Sequence, residues 1–351
     1  MERFAKPKAA EAPPVSPTSL GLADGGLRKE DLVFVEEIGR GAYGRVHRGT
    51  CRGAPVAIKA IALRALLAQA LEKYLFSELA ALRANQHPNL IRYLGAAQDG
   101  AELFIVTEFM AGGTLRGVLA PGLPPLPWRL RVALARAAAE GLACLHSSEL
   151  LHRDIKTENL LLDDSWRLVI ADYGFAKKVA DLKGGSPQPG TILGTEAFMA
   201  PEVTFGEGYG EKADVFSLGC VLAELLTGRV PGERGFLERT PRNKFAADLA
   251  QLRAAAPPGA PPSLVECTCQ CLAYEPEARP SSDDALLWLR DLEAELPPFD
   301  PAALPRPSQL QAQRAAAEAA ARAGAGAGSA GGAGAGDSPA AAAEQESPEG
   351  S

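Results

Sequence analysis

The densest concentration of reactive groups is Leu151-His152-Arg153-Asp154-Ile155-Lys156-Thr157-Glu158-Asn159, which runs into the apolar Leu160–Leu162 and then into Ala171-Asp172-Tyr173-Gly174. The carboxylates of Asp154 and Asp172, the Asn159 carboxamide and the Lys156 ammonium are thereby confined to the 19 residues from Asp154 to Asp172. They divide by chemistry. A carboxylate such as Asp154 orients an attacking hydroxyl and accepts its proton. Asn159 and Asp172 offer the hard oxygen ligands that Mg²⁺ takes. Lys156 neutralises charge that develops on a transferred phosphoryl group.

Upstream, Gly39, Gly41 and Gly44 follow an apolar run ending at Ile38, and a second apolar run begins at Val46. A Gly-x-Gly-x-x-Gly spacing that opens a helix would suit a dinucleotide site, but no helical pattern follows. Strand, glycine turn, strand reads instead as a flap whose backbone N–H groups close over phosphates, with no Cβ at these three positions to hold the chain away. In isolation the same motif also fits an ordinary glycine-rich hairpin. Thirteen residues after Val46, Val56-Ala57-Ile58-Lys59 sets an ammonium in an apolar strand, where it needs an anion. Glu78, on a helical stripe of Leu71, Leu75, Leu79 and Leu82, can supply it, with Glu72 and Glu102 as competing partners. The remaining Lys59 donors are then left to reach α- and β-phosphate oxygens.

The elements that must hold these groups follow from periodicity. Short β-branched runs occupy residues 32–37, 46–49, 56–61, 91–93 and 103–108, with one amphipathic helix, 66–84, between the third and fourth. From residue 129 onward the pattern is mostly helical, at 130–145, 212–227, 262–273 and 282–295. The expected fold class is α+β: a small strand-rich lobe with one main helix (31–109) ahead of a larger helical lobe (114–296). Residues 1–30, rich in proline and glycine, read as a disordered leader. Residues 297–351 read as a Pro/Ala/Gly-rich low-complexity tail. Within it, residues 309–322 have strong helix propensity, and Arg314 and Glu318 stand four apart. Alanine alone offers no stripe wide enough to dock, so a fraying single helix is expected there.

Composition narrows the function classes. A chain of 351 residues that is 46% hydrophobic and 23% charged can bury one large core and carry tails besides. Its formal net charge of -7 provides no positive field for polyanions, so neither nucleic acid nor an anionic membrane surface is an expected partner. Six cysteines are too few for a disulfide framework in a chain this long. The start lacks an apolar signal region, and the most apolar later run, residues 215–226, is short and carries Glu224. No membrane insertion and a cytoplasmic or nuclear location are expected.

Taken together the motifs resemble the eukaryotic protein-kinase catalytic domain over residues 31–296. G-x-G-x-x-G-x-V lies at Gly39 to Val46, V-A-I-K ends at Lys59, H-R-D-x-K-x-x-N runs from His152 to Asn159, Asp172-Tyr173-Gly174 follows, and then Ala200-Pro201-Glu202. The resemblance implies a bilobal fold, ATP as phosphoryl donor and Mg²⁺ (or Mn²⁺) as metal. It implies Asp154 as catalytic base with Lys156 beside it, Lys59 and Glu78 as the phosphate-positioning pair, and Asn159 and Asp172 as metal ligands. It implies nucleotide contacts from Ile38, Gly39, Gly41, Gly44, Val46, Ala57 and Leu161, with Thr107 as gatekeeper and backbone groups of Glu108 and Met110 at the hinge. Tyr173 stands where most relatives carry Phe. A non-catalytic ATP-binding scaffold of the same fold is the competing reading.

Further implications concern specificity and regulation. Lys156 and Thr195 resemble the serine/threonine form, so protein substrates bearing Ser or Thr are the expected acceptors. Gly194 to Glu202 and Lys212 to Ser217 resemble the tyrosine-kinase-like group, near the LIM-domain kinases. Thr191, eleven residues before Glu202, sits where relatives carry an activating phosphate, placed by an upstream kinase or by trans-autophosphorylation. There it would pair with Arg153. Asp214 is expected to bond the catalytic-loop backbone, and Glu202 to pair with Arg279. Cys267-Thr-Cys269-Gln-Cys271 lacks a fourth metal ligand nearby and reads as packing, with Cys269 off the face that Cys267 and Cys271 share. His47, His87 and His146 read as structural.

Overall fold

The computed structural model describes residues 27–41, 44–62, 83, 85–172, 177–178 and 196–327. Five antiparallel strands form the first layer: β1 (Leu32–Gly41), β2 (Gly44–Cys51), β3 (Ala54–Ala62), β4 (Tyr93–Asp99) and β5 (Glu102–Glu108), in the order β1-β2-β3-β5-β4. Arg52 and Gly53, both at positive φ, join β2 to β3 as a two-residue loop, the turn whose twist matches the strands it connects. Along β3, Val56 and Ile58 are buried on one face while Ala57 and Lys59 are half-buried on the other. The alternation fixes the register, since a one-residue slip would exchange the faces.

Two small sheets follow, β6-β8-β9 (Gly113–Thr114, Leu160–Leu162, Leu168–Ile170) and β7 with β10 (Leu150–Leu151, Lys177–Lys178). Eight helices make up the second lobe among the described residues: α1 (Leu115–Val118), α2 (Trp128–Ser147), α3 (Pro201–Thr204), α4 (Glu211–Thr227), α5 (Leu249–Ala255), α6 (Pro262–Cys271), α7 (Ser282–Glu295) and α8 (Pro307–Ala327). α4 is the axis: every residue from Ala213 through Leu226 is buried, as expected of a helix apolar on all sides. It ends where Gly228 takes a left-handed φ of 68° and donates its N–H to the Glu224 carbonyl. α7 opens on a capping box in which Ser281 Oγ accepts from the Asp284 N–H and the Asp284 carboxylate accepts from the Ser281 N–H.

The α+β bilobal expectation holds, with three differences of detail. The strand expected at 91–93 lies instead at Tyr93–Asp99. Leu90 and Ile91 are held apart from it by a parallel bridge from Leu90 to Ile170 and by the Ile91 N–H donating to the Ile170 carbonyl. Cys267, Cys269 and Cys271 are all buried, Cys269 included. Cys271 packs so closely on α4 that a Cβ at Gly219 would stand 2.9 Å from its own Cβ. Finally, the tail beyond residue 296 is not merely a fraying helix. Leu310, in the first turn of α8, is 1% exposed and part of the large core.

Of the histidines, His47 packs edge-on against Phe34, and His87 Nδ1 accepts from the Asn89 N–H. Among the described residues no helix is long and apolar enough to cross a membrane.

Candidate active site

Strand register brings the first set of predicted residues onto one face. Val46 pairs with Lys59 and Lys59 with Ile105, while Ala57 pairs with Thr107. Cross-strand partners point the same way and residues two apart share a face, so Val46, Ala57, Lys59 and Thr107 line a single surface. Glu102 pairs with Ala62, three positions from Lys59 and therefore on the opposite face, which removes it as a partner for that ammonium. In the glycine turn Gly39 pairs with Val46 and Gly41 with Gly44. A Cβ at Gly44 would lie 2.1 Å from the Ala60 carbonyl oxygen, so the approach of β3 itself demands glycine there. Ile38, 48% exposed, stands beside Gly39.

At the hinge, Glu108 turns its carboxylate away from this face. It accepts from the Arg92 N–H at 3.0 Å and from Arg167 Nη2 at 2.7 Å. Met110 is buried, and its carbonyl accepts from the Gly113 N–H at 3.2 Å. Leu161, on β8, pairs with Thr114 just beyond the hinge.

The catalytic-loop residues are joined by hydrogen bonds. Asp154, 5% exposed, accepts at Oδ2 from Lys156 Nζ (2.8 Å) and from Asn159 Nδ2 (2.9 Å). Asn159 Nδ2 also donates to the Asp154 carbonyl at 2.7 Å. The Ala171 N–H donates to the Asn159 carbonyl, which sets Asp172 beside that group. His152 fixes the loop from beneath: its Nδ1 accepts from the Asp154 N–H and its Nε2 donates to the Ala171 carbonyl, so both ring nitrogens have set roles. Lys59 Nζ lies 3.4 Å from Asp172 Oδ1, across 113 residues of sequence. Asp172 itself holds a left-handed φ of 62°, a conformation that non-glycine residues adopt where surrounding structure enforces it. Lys59, Asp154, Lys156, Asn159 and Asp172 thus converge.

The loop is anchored to α4 by Asp214, which is fully buried. Its carboxylate accepts from the N–H groups of His152 and Arg153 (both 2.8 Å), from the Tyr209 hydroxyl (2.7 Å) and from His146 Nε2 (3.1 Å). Burial alone would raise the Asp214 pKa, but the hydrogen bond and charge of His146, with His152 and Tyr209, hold it below the usual carboxylate range. Burial, with the same Asp214 pairing adding to it, drives the Tyr209 hydroxyl well above its ordinary value. Arg279, its side chain 0% exposed, pairs both terminal nitrogens with Glu202 at 2.7 and 2.9 Å. Both anchors are those expected from sequence.

A second ionic knot lies beside the loop, and the sequence reading missed it. Arg116 on α1 donates through Nε to Thr157 Oγ1 (2.9 Å), stands 2.8 Å from Glu224 Oε1 and 3.1 Å from Glu158 Oε1, and faces Glu233. In sequence Glu224 is only a charge interrupting an apolar run. A lone carboxylate inside such a helix was the available signal, because it requires a partner. Burial pushes its pKa up to about 7 against the opposing pull of Arg116 and Thr157. The folded protein therefore holds a proton there that the unfolded chain releases, and stability falls as pH rises from the ordinary carboxylate range toward 7. Between about pH 5 and pH 8, wild type is expected to lose on the order of 3 kcal/mol relative to Glu224→Gln. Parallel thermal melts across that range measure this slope, and identical slopes would show that Arg116 keeps the carboxylate ionised throughout.

Metal fit can be judged from the donors. The Asn159 amide nitrogen faces Asp154, leaving its Oδ1 as the ligand end, and Asp172 adds a carboxylate. Among the described residues no cluster of three His, Cys, Asp or Glu could hold an ion by itself. One carboxylate plus one amide oxygen matches Mg²⁺, which takes one or two protein oxygens and completes its shell with phosphates and water. Glu72, Glu78, Tyr173, Gly174, Thr191 and Thr195 lie outside the described residues.

The glycine-bearing β1–β2 turn lies in the same five-stranded sheet as Lys59, and Lys59 meets Asp172 beside the hydrogen-bonded Asp154, Lys156 and Asn159, so these groups gather where the two lobes meet. The family model described as protein kinase domain matches residues 32–287, and the chain belongs to that family. Similar curated proteins come from Dictyostelium discoideum. RasGEF domain-containing serine/threonine-protein kinase X is 38% identical over 281 residues, covering 80% of this chain and 28% of that protein. A probable serine/threonine-protein kinase is 37% identical over 280 residues, covering 78% of this chain and 65% of its own length. Another is 35% identical over 318 residues, covering 79% and 41% respectively. The chain thus spans between 28% and 65% of the length of these relatives.

Proposed function

We propose that this chain transfers the γ-phosphate of ATP to serine and threonine hydroxyls of proteins. The observation that carries the reading is the convergence of Lys59, Asp154, Lys156, Asn159 and Asp172 from three separate parts of the sequence. In the reaction the acceptor hydroxyl gives its proton to Asp154 as its oxygen bonds to the γ-phosphorus, and the bond to the ADP oxygen breaks. Lys156, already 2.8 Å from Asp154, neutralises charge on the transferred group, and Lys59 steadies the phosphates that remain. Mg²⁺ or Mn²⁺ held by Asn159 and Asp172 would supply neutralisation of the phosphate oxygens. Val46, Ala57 and Leu161 bracket the base, and hinge backbone at Glu108 and Met110 receives its polar edge.

Regulation by phosphate on Thr191 is part of the same reading, whether an upstream kinase or a second copy adds it. Arg153 supports it: Nε and Nη1 are buried without a hydrogen-bond partner among the described residues, and the guanidinium stacks 5.3 Å from the Tyr209 ring centre. A cation so placed favours an incoming phosphate. The serine/threonine-kinase names of the relatives support the acceptor type, and membership of the tyrosine-kinase-like group rests on the Gly194–Glu202 and Lys212–Ser217 sequences. All six cysteines are free thiols, which supports a reducing location, cytoplasm or nucleus. Incubation with labelled ATP and a generic protein acceptor is expected to give phosphoserine and phosphothreonine, at a rate that falls after phosphatase pretreatment. ATP binding without any transfer would instead favour the non-catalytic scaffold.

A further inference from the structure

The first turn of α8 sits against the segment that leaves the hinge. The Gln311 side-chain amide donates both its hydrogens, to the Gly112 carbonyl at 3.1 Å and to the Thr114 carbonyl at 2.9 Å. Leu310, 1% exposed, plugs into the large core beside it, and the Ser308 N–H donates to Asp164 Oδ1 at 3.1 Å. The receiving surface is cut to fit. A Cβ at Gly112 would stand 2.6 Å from Pro307 Cβ, and a Cβ at Gly117 would stand 2.1 Å from Gln311 Oε1. Glycine is required at Gly112, where the Leu162 carbonyl oxygen would also stand 2.8 Å away, whereas at Gly117 the three nearest atoms all belong to the flexible end of Gln311.

What the tail holds is one residue removed from the nucleotide contacts. Gly113 donates its N–H to the Met110 carbonyl, Gly112 donates its own to the Leu162 carbonyl, and Thr114 pairs with Leu161. Gln311 therefore grips two carbonyls of a segment whose other backbone bonds close the hinge turn at Met110 and whose strand pairs with Leu161. We propose that Gln311 is a positioning residue for the nucleotide site: the docked tail holds the hinge-following strand in its binding geometry, and release of the tail weakens ATP binding while leaving the phosphoryl-transfer groups in place. This inference rests on the nucleotide site proposed above. The chain continues past the docked turn through residue 327 in α8, so anything that pulls on that exposed helix acts on ATP affinity.

The test uses the full-length chain, titrated with Mg²⁺ and ATP by calorimetry and assayed for KM and kcat. Gln311→Ala loses two hydrogen bonds and is expected to raise both Kd and KM for ATP about threefold to tenfold, with kcat changed by less than about twofold. Gly117→Ala leaves α8 untouched but drives out the flexible end of Gln311, and is expected to reproduce the effect. The double variant is expected to be no worse than either single one, because both remove the same contact. Unchanged Kd and KM with a lowered melting temperature would make the contact ordinary packing and overturn the proposal. Additive effects of the two substitutions would do the same. A wild-type chain that binds no ATP would overturn the functional reading and this inference together, whereas normal wild-type binding with a silent Gln311→Ala overturns this inference alone.

Discussion

Asp154→Asn is expected to lower kcat by roughly 10²- to 10⁴-fold, the range that a positioned general base contributes, with little change in KM for ATP. The substitution keeps size and shape. Lys156 Nζ and Asn159 Nδ2 both donate to Oδ2 of this residue, and a carboxamide oxygen can still accept from both. What disappears is a charge able to take the acceptor proton. Because the proposed nucleotide contacts are made by other residues, nucleotide titration separates loss of chemistry from loss of binding. Equal phosphate incorporation by both proteins would remove Asp154 from the mechanism.

The second large effect falls on a residue that never meets substrate. Asp214→Ala is expected to cost about 3–5 kcal/mol of stability, roughly 10 °C in melting temperature for a domain of this size, and to depress kcat in whatever fraction folds. The reason is the count of stranded donors. Two backbone N–H groups of the catalytic loop, the Tyr209 hydroxyl and His146 Nε2 all end on this carboxylate in a buried setting, and an unsatisfied buried donor costs about 1–3 kcal/mol. Tyr209→Phe removes one donor with its hydroxyl and serves as the control that still folds, with only a small loss. A melting temperature and rate for Asp214→Ala close to wild type would show that the loop is held by its own contacts.

Much of this was legible in the sequence because the chemistry is local. His152 to Asn159 carries its base, lysine and amide within eight residues, so spacing alone groups them, and the Asp214 and Glu202–Arg279 anchors follow once the family resemblance is admitted. The small sheet was visible where strands are β-branched, as at Val56-Ala-Ile, and misplaced where they are not. β4 runs through Gly95-Ala96-Ala97, residues with little strand preference, while the more strand-like Ile91 is drawn to Ile170 instead. The Arg116 knot was illegible for a different reason. Its partners Thr157, Glu158, Glu224 and Glu233 come from distant segments, and no period or motif announces a pairing made by tertiary packing. The tail is illegible because of its alanines: its docking contacts come from Pro307, Ser308, Leu310 and Gln311, ahead of a stretch whose average composition promises no contact at all.

Ile61, Ala96, Leu103 and Ile105 on the sheet belong to the same apolar body as the helices of the second lobe, whereas among the described residues the outer face of the sheet forms a separate cluster of Leu32, Val56, Ile58, Ala97, Phe104 and Val106, with Leu27, Phe34, Cys51 and Ala60 packed against it. The glycine-bearing half is consequently no portable cassette. Severed at the hinge it would uncover these inner-face side chains and keep, among the described residues, the smaller outer cluster. Chimaeras that join this half to the helical half of a relative should succeed only when the seam residues travel with it, which makes those four side chains, rather than the motif residues, the practical limit on recombining this protein.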